Sequence, residues 1–171
     1  MADRVFIRHP RAEDRSQYIA SVRRSRKLHR PWASPVASAE AFRTRLALSR
    51  PPTRAAFFIF LRDAKALVGV VDLTEIVRGS FQSAYLGYFA FEPYAGRGLM
   101  REGLAQVIDH AFGDMGLHRL EANIQPGNDA SRIVVRALGF RQEGFSPRYL
   151  RINRRWKDHE RWAILAEDWR T

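Results

Sequence analysis

The sequence predicts an α+β fold in which a mixed sheet of about seven strands packs with about four helices. Three observations lead there. The patterned segments follow the order β-α-α-β-β-β-α-β-α-β-β. Short turns join several neighbouring strands, as in antiparallel hairpins, and only one strand-helix-strand crossover interrupts them, which argues against a doubly wound sheet. With 171 residues and no low-complexity linker, residues 1–171 are expected to form one domain.

The first part of the chain predicts one strand and two helices. A short strand covers residues 4–9, and a helix over residues 11–27 places Tyr18, Ile19 and Val22 on its inner face. Two prolines within residues 28–37 break this helix. Ser38 can cap a second helix that continues to about Ser49, and Pro51-Pro52 should end it.

Three strands and a long helix follow. The strand over residues 55–61 is apolar throughout, which is typical of a central strand covered on both faces. Further strands are expected at residues 66–77 and 84–91, with turns at residues 63–65 and 78–80. Apolar residues recur every three or four positions after Gly98, which predicts a helix over residues 99–116.

The C-terminal part predicts a strand at residues 119–125 and a short helix at about 129–138, capped by Asn128 and stopped by Gly139. Two closing strands, at about 140–152 and 157–166, flank a turn at residues 153–155.

Composition narrows the classes of function. The apolar fraction of 46% and the charged fraction of 27% are typical of a globular protein. No apolar run reaches the roughly 20 residues that cross a bilayer, and charges occupy the start of the chain where a secretory signal would be apolar, so a cytoplasmic location is expected. Because cysteine is absent, disulfides, thiolate metal sites and a cysteine nucleophile are excluded.

The chain is strongly basic, with 29 Lys and Arg against 18 Asp and Glu and a net charge of +11. Such a charge attracts RNA, phosphorylated cofactors or acidic membranes without choosing among them. The basic residues concentrate at 23–27 and 148–157. A solvated basic face explains these clusters more often than a nucleic-acid site does.

The sequence Gly96-Arg97-Gly98 leads from a strand directly into the long helix. Glycines let the backbone adopt positive φ and approach a ligand, and the first amides of a helix are unpaired donors at the positive end of its dipole. Arg97 and Arg101 add charge. This arrangement suits a phosphate or diphosphate, although a plain strand-to-helix turn explains the glycines equally well. The segment is not a Walker sequence and lacks the third glycine of a dinucleotide fingerprint.

Three segments in order resemble the GCN5-related N-acetyltransferases, or GNAT superfamily: LGYFAFEPYAGRGLMREGL, RLEANIQPGNDASRIVVRALGFRQEGF and YLRINRRWKDHERWAI. VVRGSFQSAYLGY and the closing segment are most similar to its RimJ and RimL branches, the ribosomal-protein alanine N-acetyltransferases. The resemblance covers nearly the whole chain, with the first fifty residues matching only in layout. It implies the GNAT fold, with two parallel strands that splay where acetyl-coenzyme A enters.

The resemblance also implies roles for particular residues. Ser131 would be the general acid that protonates the leaving thiolate, and Asn128 would lie along the pantetheine arm; as bare sequence, both also fit a helix cap and first turn. Apart from the resemblance, Trp32 is an aromatic residue in a loop expected to be exposed, where it lines a peptide groove or, equally well, pins the loop to the core. Trp32 and Tyr88 are the residues expected to contact the acceptor substrate. The predicted cofactor-binding residues are Phe89, Ala90 and Phe91 on the strand edge, Gly96, Arg97, Gly98, Leu99, Met100 and Arg101 in the loop and helix start, and Asn128 and Ser131.

The general base is not evident. Leu150 occupies the position where relatives have a glutamate, so we expect a water relay to a carboxylate or to backbone carbonyls. The candidate carboxylates are Glu75, Asp72 and Glu102. His110 and His159 are more often packed residues than ligands, and no metal is expected because nothing near them has metal-ligand spacing.

Three functions remain open at this point. The leading one is transfer of acetyl from acetyl-coenzyme A to the N-terminal amine of a protein, with an alanine or serine terminus on a ribosomal protein as the expected partner. The second is acetylation of a small amine such as a polyamine or aminoglycoside. The third is a non-catalytic ribosome- or RNA-associated factor that uses the basic faces. The expected oligomeric state is a monomer or homodimer, without membrane contact.

Overall fold

The computed structural model describes residues 4–50 and 52–169. Seven strands form one sheet in the order β1-β2-β3-β4-β5-β7-β6. All neighbouring strands pair antiparallel except β4 and β5, which run parallel. The predicted α+β fold with a mixed sheet of seven strands is therefore confirmed. The strands are β1 Val5–Arg8, β2 Ala55–Leu61, β3 Leu67–Val77, β4 Ser83–Ala90, β5 Arg119–Ile124, β6 Arg141–Ile152 and β7 Arg155–Leu165.

The described residues contain five α-helices rather than the expected four. They are α1 Arg15–Arg24, α2 Arg26–His29, α3 Ala39–Ala47, α4 Leu99–Phe112 and α5 Asp129–Ala137, with short 3-10 turns at Ala12–Asp14 and Ala166–Asp168.

The prediction of one helix over residues 11–27 was wrong, because the helix breaks at Ser25. This residue is fully buried, and its hydroxyl accepts a hydrogen bond from the backbone amide of Glu92 at 2.9 Å. A tertiary contact thus interrupts a segment whose local pattern is continuous. At the next helix, Ser38 caps α3 as expected by accepting from the amide of Ala41 at 3.1 Å. Pro51, expected to end α3, lies outside the described residues.

Two apolar cores lie on opposite faces of the sheet. On one face, α4 and α5 pack with Leu104, Val107 and Ile108 against the middle strands. On the other face, α1 and α3 cover an aromatic cluster that includes Tyr18 and Phe42. Strand β2 contributes alternate residues to both cores, as its unbroken apolar sequence predicts.

Candidate active site

Strands β4 and β5 separate partway along their length. Their parallel pairing covers only Ser83 to Tyr85 of β4 and Arg119 to Glu121 of β5. Beyond Tyr85, β4 continues to Ala90 with no strand paired on its β5 side among the described residues, although His29 Nε2 lies 2.8 Å from the carbonyl oxygen of Ala90. This gap is the splay that the resemblance implies, and it leaves backbone groups of β4 free to pair with an extended ligand.

A cavity of about 220 Å³ lies where the splay opens. It is bounded by the end of β4, the loop before α4, the N-terminus of α5 and the segment that follows α2. The lining is mainly apolar, with a few polar groups, which is typical of a cofactor or substrate site. The lining residues are Leu28, His29, Trp32, Ala33, Tyr88, Phe89, Ala90, Ala95, Gly96, Met100, Asn128, Ala130, Ser131 and Val134.

The loop before α4 presents unpaired backbone amides beside this cavity. Gly96 and Gly98 have φ values of 76° and 77°, and Gly98 is the N-cap of α4. The amide of Ala95 donates to the carbonyl of Phe91, but among the described residues no acceptor pairs with the amides of residues 96–101. No heavy atom lies within 4 Å of the position a Cβ would take at Gly96. Donors at a helix N-terminus with open space beside them fit a diphosphate.

Asn128 and Ser131 both line the cavity, where Asn128 caps helix α5 and Ser131 presents its hydroxyl. The Oδ1 atom of Asn128 accepts a hydrogen bond from the backbone amide of Ser131 at 3.3 Å, which caps α5. Within residues 4–50 and 52–169, no partner bonds the Ser131 hydroxyl. The Ser131 backbone is therefore fixed while its hydroxyl stays available for a ligand in the cavity.

The Tyr88 side chain connects β4 to the start of α5. Its hydroxyl donates to the backbone carbonyl of Ser131 at 3.2 Å. Burial raises the pKa of the Tyr88 phenol to about 12, although its hydrogen bond with Ser131 opposes the shift. The phenol therefore remains a donor at neutral pH and ties the splayed strand to the helix that carries Ser131.

The structure brings most of the predicted site residues together. Trp32 is half-buried rather than exposed, and its carbonyl accepts from the Gln125 side chain at 2.9 Å. The predicted residues that line the cavity are Trp32, Tyr88, Phe89, Ala90, Gly96, Met100, Asn128 and Ser131.

Five predicted residues do not line the cavity. Phe91 is fully buried in the aromatic core, and its amide donates to Val68 at 2.8 Å. Leu99 is buried in the other core. Arg97 and Arg101 are exposed on the loop and first turn, where they add positive charge near the free amides, and Gly98 serves as the helix cap.

Sequence reasoning missed His29, which lines the cavity next to the end of β4. The side chain is 5% exposed, and its Nε2 lies 2.8 Å from the carbonyl oxygen of Ala90. Its ring packs edge-on against Phe89 and Phe91. The residue falls at the end of α2, in a segment read as a helix break, so no sequence pattern pointed to it.

The three candidate carboxylates lie away from the cavity lining. Asp72 is bound bidentately by Arg45, at 2.6 and 3.0 Å. Glu102 accepts from Arg4, with the Nε contact at 2.8 Å. Glu75 is exposed and lies 3.8 Å from Arg54. The first two carboxylates are engaged by arginines and lie away from the cavity lining.

The two histidines singled out from sequence are packed residues. His159 is 2% exposed, and burial lowers its pKa below the usual value. His110 Nδ1 lies 2.6 Å from Asp114. Across the part of the chain that the structure describes, no group of three or more His, Cys, Asp or Glu residues could hold a metal ion. No described helix has the length and apolar content to cross a membrane.

Comparison with known proteins agrees with this geometry. The chain is 40% identical over 112 residues to a probable N-acetyltransferase, YjcK, of Bacillus subtilis. It is 38% identical over 113 residues to the [ribosomal protein uS5]-alanine N-acetyltransferase of Escherichia coli. These alignments cover 66% of this chain and 62% and 58% of the two relatives, so the chain spans about three fifths of their length.

Solved structures match over nearly the whole chain. Mycobacterium smegmatis RimJ in complex with CoA-disulfide superposes with a TM-score of 0.85 at 27% identity, covering 98% of this chain and 84% of that one. Vibrio cholerae spermidine N-acetyltransferase shares the fold, with a TM-score of 0.82 at 21% identity over 98% of each chain. The family described as acetyltransferase (GNAT) domain matches residues 4–141. The chain belongs to the GNAT acetyltransferase family.

Proposed function

We propose that this protein transfers an acetyl group from acetyl-coenzyme A to the N-terminal α-amine of a protein, with an alanine or serine terminus of a ribosomal protein as the acceptor. One observation carries the proposal: a run of free amides at residues 96–101, of which Gly96 and Met100 line the cavity, lies beside the Ser131 hydroxyl, which has no partner among the described residues. The E. coli relative, named for the uS5 alanine terminus, supports the choice of acceptor. Such an acceptor would place the reaction in the cytoplasm.

In this proposal the cavity binds acetyl-coenzyme A from the side of α4 and α5. The amides of residues 96–98 donate to the diphosphate, and Arg97 and Arg101 supplement their charge. The free edge of β4 from Leu86 to Phe89 pairs with the pantetheine arm, whereas the Ala90 carbonyl is held by His29. Trp32 and His29 form the opposite wall and exclude water from the thioester.

Ser131 acts as the general acid. Its hydroxyl donates a proton to the sulfur as the carbon-sulfur bond breaks and the attacking amine forms the new amide bond. The proton that the amine loses passes through water and restores the Ser131 hydroxyl. Tyr88 and Asn128 hold the Ser131 carbonyl and amide, so the hydroxyl is presented at a fixed position. Acetyl-coenzyme A supplies the activated acetyl group.

The acceptor amine needs little help from a base. An α-amine with a pKa of about 7.7 to 8.0 costs roughly 1 kcal/mol to deprotonate at neutral pH, against about 4.6 kcal/mol for a lysine. With Asp72 and Glu102 bound by arginines, a water relay suffices for an N-terminal amine. The same energetics disfavour amines with higher pKa values.

Gly87 provides room for the acceptor on the opposite face of the splay. It lies on β4 beyond the last pair with β5, and nothing lies within 4 Å of its hypothetical Cβ. Its neighbours Leu86 and Tyr88 point to the α4 face, so the space above Gly87 is on the α1 and α3 face. A peptide terminus can therefore approach the acetyl group from the side away from the cofactor.

Acceptor profiling tests the proposal. The protein is mixed with acetyl-coenzyme A and either short peptides beginning with Ala, Ser or Met, or spermidine, and free thiol release is followed. We expect turnover with the Ala and Ser peptides, with the acetyl group located on the α-amine by mass spectrometry. Selective turnover of spermidine would instead assign the protein to small-amine acetylation. Thiol release with none of these acceptors, despite binding of coenzyme A, would contradict both assignments.

A further inference from the structure

The hairpin formed by β6 and β7 extends beyond the rest of the sheet. Strand β5 pairs with β7 only from Glu160 to Leu165, so the earlier part of β7 has β6 as its partner alone. We call residues 147–157, at the outer end of this hairpin, the basic ribbon. It contains no aspartate or glutamate, and its five cations are Arg148, Arg151, Arg154, Arg155 and Lys157.

The cations of the basic ribbon differ from the arginines next to it. Arg119, Arg132 and Arg161, on neighbouring elements, each bind one or two carboxylates. Within the described part of the chain, none of the five ribbon cations forms an ion pair, and all four of its arginines are exposed. The carboxylate of Asp158, next to the ribbon, accepts from the backbone amide of Arg148 at 2.7 Å, and no ribbon side chain among the described residues is paired with it. An anionic partner would displace the solvent ions that accompany these exposed cations.

The outer end of the hairpin has little stability of its own, because a two-stranded ribbon gains little stability by itself. In the cross-strand pairs, Arg151, Arg155 and Lys157 lie opposite uncharged residues rather than opposite one another. The turn is made by Asn153 and Arg154, with φ values of 50° and 65°. A two-residue turn with both φ values positive favours Asn-Gly, yet Arg154 occupies the glycine position. The hairpin thus places a cation at its tip where backbone conformation alone favours glycine.

An aromatic side chain lies among these charges. Trp156 is 61% exposed and pairs across the hairpin with Arg151. An exposed indole beside guanidinium groups offers a stacking surface for a base, while the arginines bind the flanking phosphates. We propose that the basic ribbon is a binding site for single-stranded RNA. The ribbon shares no residue with the cavity lining, so its RNA binding can be measured separately from acetyl transfer.

Salt dependence follows from the number of cations. If all five contact phosphates, the affinity for single-stranded RNA falls with a log-log slope of about −3.5, at roughly −0.7 per contact. Raising salt from about 50 to about 200 mM then weakens binding by about 100-fold. Removal of three contacts reduces the slope to about −1.4.

Fluorescence anisotropy with a labelled oligouridine of about 12 nucleotides tests this inference. The triple variant Arg151→Gln, Arg154→Gln, Arg155→Gln should bind at least 10-fold more weakly at about 100 mM salt. The matched control, Arg23→Gln, Arg26→Gln, Lys27→Gln, removes the same charge from another exposed basic cluster and should change binding less than threefold. Equal losses in the two triples would show attraction by net charge alone and overturn the proposal.

Two single variants separate binding from hairpin structure. Arg154→Gly should weaken RNA binding several-fold without lowering the melting temperature, because glycine suits the positive φ at the tip. Trp156→Ala should weaken binding about fivefold or more through lost stacking. Unchanged RNA affinity in Arg154→Gly would contradict the proposal, whatever its melting temperature. The proposal would also be overturned if a polyglutamate of equal charge bound as tightly as the RNA. That result would assign the basic ribbon to acidic polypeptides.

Discussion

Two substitutions at the start of α5, Asn128→Ala and Ser131→Ala, separate the effect of helix capping from that of acid catalysis. Asn128→Ala removes the side chain that accepts from the Ser131 amide at 3.3 Å. Loss of an N-cap costs about 1 kcal/mol, which lowers the melting temperature of a protein of this size by about 2–4 °C. Ser131→Ala leaves that cap intact, because the bonded donor is the backbone amide. Its melting temperature should therefore match that of the unmodified protein.

The larger kinetic effect should come from Ser131→Ala, because Asn128→Ala only loosens the position of a hydroxyl that is still present. Ser131→Ala removes the proton donor, so kcat should fall by about 100-fold or more, the range for a positioned general acid, with unchanged affinity for coenzyme A. Asn128→Asp retains an acceptor for the cap and serves as the structural control. The measurements are thermal unfolding, calorimetry with coenzyme A and steady-state thiol release. Equal kcat in Ser131→Ala and the unmodified protein would refute the assignment of Ser131 as the acid.

Other predictions concern the walls of the site and the acid stability of the fold. At Gly69 a Cβ would collide with Met100 Sδ and would lie 2.8 Å from the Phe89 carbonyl oxygen. Gly69→Ala should therefore lower the free energy of unfolding by about 1–3 kcal/mol and weaken coenzyme A binding. Thermal unfolding and calorimetry measure these two effects. Gly144→Ala, with open space at the Cβ position, is its matched control. Gly87→Val should leave coenzyme A affinity unchanged but raise the KM of the peptide acceptor, whereas Gly144→Val should change neither; loss of coenzyme A binding in Gly87→Val would contradict a separate acceptor side. Burial lowers the pKa of His159 in the folded protein, so the unfolded chain binds a proton first as pH falls below about 6.5. The contribution of this residue to the free energy of unfolding therefore decreases as the pH falls. His159→Gln should reduce the loss of urea stability between about pH 7 and pH 5.5, and an unchanged pH dependence would contradict that account.

The sequence was sufficient for features set by local pattern. Periodicity located α4, unbroken apolar character identified β2 as a central strand, and Ser38 and Asn128 were correctly predicted as helix caps. The order of the segments and the family resemblance together predicted the splay between β4 and β5.

Features that depend on distant contacts could not be read from the sequence. The break in the first helix arises because the hydroxyl of Ser25 bonds to Glu92, 67 residues away along the chain. His29 reaches the cavity because its ring packs against Phe89 and Phe91, and Arg45 binds Asp72 across 27 residues. Local composition carries no signal for such partners, so the choice among carboxylates remained open until the fold placed them.

A crystal structure with coenzyme A tests the central claim most directly, because that claim assigns two ends of one ligand to two groups of atoms. The diphosphate oxygens should lie within hydrogen-bond distance, about 2.7–3.2 Å, of the amide nitrogens of residues 96–98, and the sulfur should lie beside the Ser131 hydroxyl. A diphosphate bound elsewhere, or a sulfur remote from Ser131 with those amides unoccupied, would contradict the proposed site.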